Sequence, residues 1–450
     1  MIAATSTLLR CGSLVLVALA LWLFSRPSGP PRNVILVSID TLRADHLGTY
    51  GYERATSPNL DRLARRSVVF DQAVAQAPNT LPSHAALLTS TYYRALPGLS
   101  RGQDSRLAPG ATTLARLLKE RGFATGGFVD GGFLSRAFGL GQGFDDYDDK
   151  GSGIAEIAVK AERWIDAHRA SRFFLFVHCY DVHAPYSPPS PFDRKFEETP
   201  YAGSFEPTME NLNAVAGWKR AIAPDELRHV VALYDGGIAY TDQQLGIFFA
   251  ELERRGLLSS TLLIVTADHG EEFKEHGSML HWQSYYMPNL HVPLIVSVPG
   301  RAAERIDGVV ELIDVLPSVL ELLGVPAAPH AMGRSLVATM DGRAQPGERV
   351  AYSEPFSSEV PLATVITDRY QLLYNPNNGK SHLIDIRPGA APVDLAEREP
   401  AVAGALLAAL KDRQERVEVA KAEAAKHEAT APVALDEQTR RRLRALGYTQ

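Results

Sequence analysis

Five uncharged, mostly apolar runs, each the length of a β-strand, recur along this chain. They are NVILVSI from Asn33, FATGGFV from Phe123, FFLFVHC from Phe173, TLLIVTA from Thr261 and VPLIVSV from Val292. A strand that is apolar at consecutive positions is buried on both faces. Helical patterns separate the runs, at 58–66, 81–88, 112–121, 154–168 and 224–255. This alternation predicts an α/β fold in which helices sandwich a large, mostly parallel sheet.

Beyond Gly324 the pattern changes to short strand-like segments separated by turns. The segments are YSEPF, LATVIT, YQLLYN and SHLIDI, followed by a helical stretch over 397–418. They predict a smaller antiparallel sheet with one helix. A tail helix should then pack through Leu443 and Leu446. The expected organisation is a leader and linker over 1–32, a main domain over 33–340, and an α+β subdomain with the tail helix over 341–450.

The first 32 residues contain an uncharged apolar segment, Cys11 to Phe24, directly after Arg10. This segment is short for a membrane span, which needs about 20 apolar residues. No small-residue cleavage site follows Phe24, so a signal anchor and a cleaved signal peptide both remain open. Either one predicts export. The folded part would be anchored to the membrane by this segment, facing the periplasm or the extracellular side, or it would be secreted after cleavage.

The charge of the chain argues against nucleic-acid binding, and its cysteine content argues against an intrachain disulfide. The formal net charge is −6, with 22% charged residues, so the chain lacks the basic character that nucleic-acid binding requires. We therefore expect no nucleic-acid partner. Only Cys179 lies outside the leader, so no intrachain disulfide is expected in the folded part.

Potential metal ligands follow two of the predicted strands. Asp40 comes directly after the run that begins at Asn33, and Asp268 and His269 follow the run that begins at Thr261. In α/β sheets, functional groups collect at the carboxyl ends of the strands. Two carboxylates and a neutral imidazole suit a divalent cation. Acidic residues at strand ends also serve as turn formers or helix caps, and the residues alone leave that alternative open.

Thr80 stands just ahead of the helix predicted over 81–88, in APNTLPSHAALLTS. Pro82 suits the first turn of a helix, whose free backbone amides attract anions. Thr80 could therefore supply an oxygen ligand beside an anion site. On the residues alone, a simple helix cap is the favoured interpretation.

Several segments in a fixed order resemble the sulfatase family of the alkaline phosphatase superfamily. They are NVILVSIDTLRADHLGTYGY, SPNLDRLARRSVVFDQAVAQAPNTLPSHAALLTS, HCYDVHAPYSPP, TADHGEEFKEHG and HVPLIVSVPG. The similarity runs from about Asn33 to the closing RRLRALGY. It implies an alkaline phosphatase/sulfatase-like fold and hydrolysis of sulfate or phosphate esters.

The chain departs from this family at the residue that carries the chemistry. Sulfatases oxidise the Cys or Ser of a C/S-x-P-x-R motif to formylglycine, but the matching residues here run from Thr80 to His84 as TLPSH. Oxidised threonine would be a ketone, so no formylglycine can form. Thr41 also replaces the second of two aspartates. Other enzymes of the superfamily, the phosphoethanolamine transferases and nucleotide pyrophosphatase/phosphodiesterases, use threonine directly, which implies Thr80 as a metal-activated nucleophile.

The resemblance also implies a metal site. Zinc or manganese is favoured because imidazole is among the ligands, calcium is possible, and one or two divalent ions are expected. The expected ligands are Asp40, Thr80, Asp268 and His269.

Further roles follow from the same resemblance. His281 would be the general acid for the leaving oxygen, since imidazole can donate a proton near neutral pH. His183, in an H-x-P loop, would act with it on the transferred group. Contacts to the substrate are expected from His84, His183 and Ser83. Glu271 is expected only to cap or solvate a turn.

The implied substrate is an anionic ester: a sulfated or phosphorylated glycan, lipid or small molecule. Two other functions stay open. One is a phosphodiesterase or a phosphoethanolamine-type phosphotransferase. The other is an inactive receptor for anionic glycans, which would suit the loss of the family's cysteine, arginine and second aspartate.

Overall fold

The computed structural model describes residues 29–99, 105–281, 284–344, 349–354, 362–390, 393–425 and 435–448. The apolar segment 11–24 lies outside these residues, so its role as an anchor or signal peptide stays a prediction. No helix in the described part of the chain is long and apolar enough to span a membrane.

Fourteen strands, eleven α-helices and eight short 3₁₀-helices make up the regular structure of the described residues. The strands are β1 Asn33–Ile39, β2 Val68–Val74, β3 Ala124–Phe128, β4 Asp146–Asp148, β5 Phe173–Cys179, β6 Thr261–Thr266, β7 Glu272–Phe273, β8 Met279–Leu280, β9 His291–Ser297, β10 Glu304–Glu311, β11 Ala351–Ser353, β12 Ala363–Ile366, β13 Tyr370–Asn375 and β14 Lys380–Asp385. The helices are α1 Pro58–Ala64, α2 Thr80–Thr89, α3 Leu114–Lys119, α4 Gly153–Ala167, α5 Met209–Ala216, α6 Pro224–Arg254, α7 Met287–Leu290, α8 Val315–Leu322, α9 Val337–Met340, α10 Pro400–Ala424 and α11 Glu437–Ala445.

The large sheet has eight strands in the order β10-β2-β9-β6-β1-β5-β3-β4. All of them run parallel except β9, which is antiparallel to its neighbours β2 and β6. β1, β5 and β6 are buried at every position, as expected for strands covered on both faces. The predicted large, mostly parallel sheet is thus confirmed.

The smaller sheet is antiparallel, with the order β11-β12-β13-β14, and α10 packs against it. The predicted fold class is therefore confirmed here as well. The division into segments at residues 32 and 340 stays a prediction. α11 contacts residues 132–134 of the larger part of the molecule, and Leu443 is fully buried in its core.

Strand order explains how distant residues meet. β6, β1 and β5 are neighbours in the sheet and run in one direction, so their carboxyl ends share one edge. Asp40 follows β1, Asp268 follows β6 and His183 follows β5. Helix α2, every residue of which is buried, brings Thr80 to the same place.

Candidate functional site

Three buried side chains meet where β1 and β6 end. Asp40, Asp268 and His269 each offer one ligand atom, and these atoms lie within 4.8 Å of one another. All three residues are fully buried. Asp40 Oδ1 and Asp268 Oδ2 have no hydrogen-bond partner among the described residues. Buried polar atoms left in this way are unfavourable, and two carboxylate oxygens beside an imidazole nitrogen fit a divalent cation.

The two carboxylates differ in their preference for a proton. Burial, followed by repulsion from Asp268, raises the pKa of Asp40 well above its usual value. The pKa of Asp268 is lowered because, although burial opposes it, His269 and His84 favour the charged form. Two buried carboxylates this close cannot both ionise without a compensating charge. A cation between them would supply that charge.

His269 is oriented as a metal ligand needs to be. Its Nδ1 lies 2.9 Å from the carbonyl oxygen of Gly270, a geometry in which Nδ1 donates a proton and leaves the Nε2 lone pair available. Burial lowers the pKa of His269 to about 4, which keeps the ring neutral.

Thr80 is the first residue of α2, and its side chain faces this cluster. Its Oγ1 lies 3.4 Å from His269 Nε2, and the residue is 1% exposed. The residue at the N-cap position is Asn79, which makes no capping hydrogen bond through its side chain. The Thr80 hydroxyl is thus placed beside the candidate metal ligands.

A pair of histidines forms the opposite wall of the site. The rings of His183 and His281 lie 5.1 Å apart between centroids, and the His281 ring lies 4.5 Å from that of His269. Burial and the neighbouring His281 lower the pKa of His183 to about 3. Burial lowers the pKa of His281 to about 4. These low pKa values keep both rings neutral near pH 7.

Glu271 orients His281, and the expectation that it only caps or solvates a turn is wrong. The residue is fully buried. Its Oε1 lies 3.0 Å from His281 Nδ1, and its Oε2 accepts a hydrogen bond of 2.9 Å from the hydroxyl of Tyr186. Burial raises the pKa of Glu271 to about 7. The polar sequence around it, DHGEEFKEHG, gave no signal that this carboxylate is enclosed.

Ser83 and His84 link α2 to the strand ends. Ser83 Oγ donates a 2.6 Å hydrogen bond to the carbonyl oxygen of Asp268. His84 Nδ1 lies 2.9 Å from the carbonyl oxygen of Thr80, and its Nε2 lies 2.9 Å from Ser38 Oγ. Both residues are fully buried. They hold α2 in register with the cluster, and their predicted contact with substrate stays a prediction.

Two further residues complete the surroundings of Asp40. Thr41, at the place of the family's second aspartate, donates its hydroxyl hydrogen to the carbonyl oxygen of Asp40, so it adds no charge to the cluster. His178, near the end of β5, places Nε2 3.2 Å from Asp40 Oδ2. His178 thus lies against a candidate metal ligand.

Sequence reasoning missed Tyr448. Its hydroxyl lies 3.3 Å from Thr80 Oγ1, 2.8 Å from His183 Nε2 and 3.2 Å from His281 Nε2. The residue follows α11 at the end of the described chain. The one signal was the resemblance of the closing RRLRALGY to the sulfatase family, which was interpreted only as a packing segment.

Comparisons with known proteins identify the family and the fold of this chain. The family model described as Sulfatase matches residues 32–325. An arylsulfatase of Clostridium perfringens is 23% identical and covers 79% of this chain and 88% of the relative. The solved structure of a phosphonate monoester hydrolase of Agrobacterium radiobacter has a TM-score of 0.69 at 22% identity, covering 91% of this chain and 100% of the other. The solved structure of a protein in complex with its substrate D-glucosamine-2-N,6-O-disulfate has a TM-score of 0.72 at 17% identity. The match covers 86% of this chain and 98% of the other.

Proposed function

Because this chain belongs to the sulfatase family, we propose that it is a metal-dependent hydrolase of phosphate or sulfate monoesters with Thr80 as its nucleophile. The relatives of this chain are ester hydrolases, and so is the chain. One observation supports the finer proposal: the hydroxyl oxygen of Thr80 lies 3.4 Å from His269 Nε2, beside the carboxylates of Asp40 and Asp268.

The proposed metal site consists of Asp40, Asp268, His269 and Thr80. A divalent cation bound there would lower the pKa of the threonine hydroxyl and offset the negative charge of the transferred group. Zinc or manganese suits a set that includes imidazole better than calcium does.

The chemistry proceeds in two steps that these side chains can carry. Thr80 Oγ1, after its proton has left to solvent, attacks phosphorus or sulfur in line. As that bond forms, the bond to the ester oxygen breaks. His281, which takes up a proton from solvent when the anionic ester binds beside it, gives this oxygen a proton from Nε2. A water molecule then attacks the Thr80 adduct, and His281, now neutral, takes a proton from that water. The bond between Thr80 Oγ1 and the transferred atom breaks, a proton from solvent restores the Thr80 hydroxyl, and the acid is released.

Phosphate esters are the favoured substrates. The Thr80 adduct has no hemiacetal route to breakdown, so water has to attack the transferred atom itself, which is ordinary chemistry for a phosphate ester and harder for a sulfate ester. The phosphonate monoester hydrolase that shares this fold is consistent with phosphorus chemistry. The disulfated glucosamine bound by another protein of this fold makes sulfate esters the second candidate.

A panel of three chromogenic esters tests this proposal. We expect cation-dependent release of p-nitrophenol from p-nitrophenyl phosphate to exceed release from p-nitrophenyl sulfate. Faster turnover of bis-p-nitrophenyl phosphate would instead indicate a phosphodiesterase. Product formation that depends on an added alcohol and a lipid donor would indicate a transferase. Absence of release from all three esters would contradict the proposed function.

Replacing His281 should selectively slow the hydrolysis of esters that have poor leaving groups. His281→Ala removes the proton donor, and general acid catalysis contributes about 100-fold or more. We expect a loss of that size for phenyl phosphate, whose leaving oxygen is basic. For p-nitrophenyl phosphate, whose leaving oxygen needs little protonation, we expect a loss of less than about tenfold. The measurement is kcat/KM for both esters.

His382→Ala is the matched control for this prediction. His382 pairs with Asp394 at an exposed position in strand β14 of the small sheet, and both rates should stay unchanged. Equal losses for the two esters in His281→Ala would show that the histidine binds substrate without acting as the acid.

A further inference from the structure

The phenol of Tyr448 occupies the place at which the nucleophile and both histidines converge. Its oxygen is within 3.3 Å of Thr80 Oγ1, His183 Nε2 and His281 Nε2. An ester positioned for attack by Thr80 needs one of its own oxygens at this point. Two hydrogen-bonded oxygens approach no closer than about 2.5 Å, so the phenol and the ester cannot be present together.

We propose that Tyr448 is a tethered competitor of the substrate, and that the ester binds only after the phenol has left the site. This inference rests on the proposed function, because Thr80 and the two histidines define where the ester lies. It adds that the carboxyl-terminal segment, residues 435–448, controls access to the catalytic centre.

Burial of the catalytic groups supports this closure. Thr80 is 1% exposed, His281 3% and His183 4%. Tyr448 is only partly buried, so it lies between these groups and the solvent. Its ring packs edge-on against Phe133, with 4.6 Å between centroids. In this conformation the nucleophile is closed to an incoming ester.

An ion pair, a hydrogen bond and a buried apolar side chain hold the carboxyl-terminal segment against the rest of the molecule. Arg442 forms an ion pair with Asp130 and donates a hydrogen bond to the carbonyl oxygen of Lys150. A Cβ atom at Gly151 would lie 1.8 Å from the guanidinium of Arg442, so a side chain there would exclude the arginine. Leu443 adds a fully buried apolar contact. These contacts keep Tyr448 close to the site.

Leu446 and Gly447 separate the docked helix from Tyr448. Gly447 has a φ of 84°, a conformation that costs glycine little. A Cβ atom there would lie 2.3 Å from Met209 Cε. Rotation of the backbone at Gly447, which breaks the 2.9 Å hydrogen bond from Tyr448 N to the carbonyl oxygen of Leu443, can therefore carry Tyr448 out of the site while Arg442 and the side chain of Leu443 stay docked.

Tethering makes the competition intramolecular. A phenol attached to a docked helix has a high effective concentration at the site. The apparent affinity for an external anion is then the affinity of the open site multiplied by the fraction of molecules in which the site is open. Removing the phenol should raise that affinity without adding any contact.

Binding of inorganic phosphate to the cation-loaded full chain tests the proposal without requiring turnover. We expect Tyr448→Ala to bind phosphate about tenfold more tightly or better, since each hydrogen bond lost from the competitor accounts for a severalfold effect. Tyr448→Phe, which keeps the ring and loses the hydroxyl, should show a smaller gain. The value of kcat/KM for p-nitrophenyl phosphate should rise in parallel, and kcat should not fall.

Two tail variants serve as comparisons. Arg442→Ala loosens the docked helix and should shift phosphate affinity in the same direction as Tyr448→Ala. Arg441→Ala removes an exposed ion pair with Glu437 on the same helix and should leave both affinity and activity unchanged. The conservative Tyr448→Phe keeps the test valid if the alanine variant folds poorly.

The outcomes separate this inference from the proposed function. Unchanged or weaker phosphate binding in both Tyr448 variants overturns the competition. A lower kcat in Tyr448→Phe without tighter binding also overturns it, since Tyr448 would then assist the reaction. Tighter phosphate binding in variants that hydrolyse no ester would support competition by Tyr448 and contradict the proposed function.

Discussion

Thr80→Ala should lower kcat/KM for p-nitrophenyl phosphate by at least about 1,000-fold, because it removes the atom that forms the covalent adduct. The methyl side chain keeps the helical backbone of α2. The hydrogen bonds of Ser83 and His84 to the carbonyl oxygens of Asp268 and Thr80 also remain possible. We therefore expect the variant to fold normally, with circular dichroism and the unfolding temperature as the checks.

Thr80→Ser is the matched control for the nucleophile. It retains a hydroxyl at the same position and should keep activity within about tenfold of the unchanged protein. High-resolution mass spectrometry of a peptide containing Thr80, after rapid quenching with substrate, should detect the transferred phosphoryl or sulfuryl group. Full activity in Thr80→Ala would contradict nucleophilic catalysis by this residue and leave it at most a metal ligand.

Removal of the cation should abolish activity, and Asp268→Asn should have the same effect. Chelation removes the charge that offsets the two buried carboxylates, and we expect a loss of about 1,000-fold or more in kcat/KM that added zinc or manganese reverses. Asp268→Asn removes a ligand, so the variant should contain less metal and lose activity to a similar extent. Elemental analysis of protein purified without a nickel column measures the metal content.

Thermal unfolding provides a readout that does not depend on catalysis. A cation that binds only the folded chain raises its unfolding temperature, so added zinc or manganese should stabilise the unchanged protein and not Asp268→Asn. Asp385→Asn is the control. Asp385 lies far from Asp268 in sequence and pairs with Arg369 and Arg387, so zinc or manganese should stabilise this variant as it does the unchanged protein. Calcium as the only bound metal would count against His269 as a ligand.

The sequence predicts those parts of the fold that have a continuous apolar run or a helical pattern of their own. β1 and β5 coincide with their predicted runs, because their residues are uncharged and mostly apolar, and all of them are buried. β2 and β10 were not predicted. Asp71 interrupts β2, and β10 lies at the edge of the sheet, where charged residues such as Glu304 and Arg305 tolerate solvent. An edge strand carries no continuous apolar pattern.

The same distinction applies to the site. Asp40 and Asp268 could be predicted because carboxyl ends of parallel strands converge, and the structure brings them together with His269 and Thr80. Glu271 and Tyr448 could not be predicted in this way. Each reaches the site through side-chain packing and turns that have no periodic pattern, and Tyr448 is far from its partners in sequence. The roles of all these residues in catalysis stay predictions until the variants are measured.

The position of β1 has a consequence for how the molecule is made. This strand is synthesised early, yet it pairs with β5 and β6, so that Val34 faces Phe174 on one side and Leu262 on the other. Pairings between residues so distant in sequence slow folding. An apolar strand thus emerges from the ribosome long before its partners exist, and self-association of incomplete chains should compete with folding. Production at reduced temperature or with added chaperones should favour the native protein.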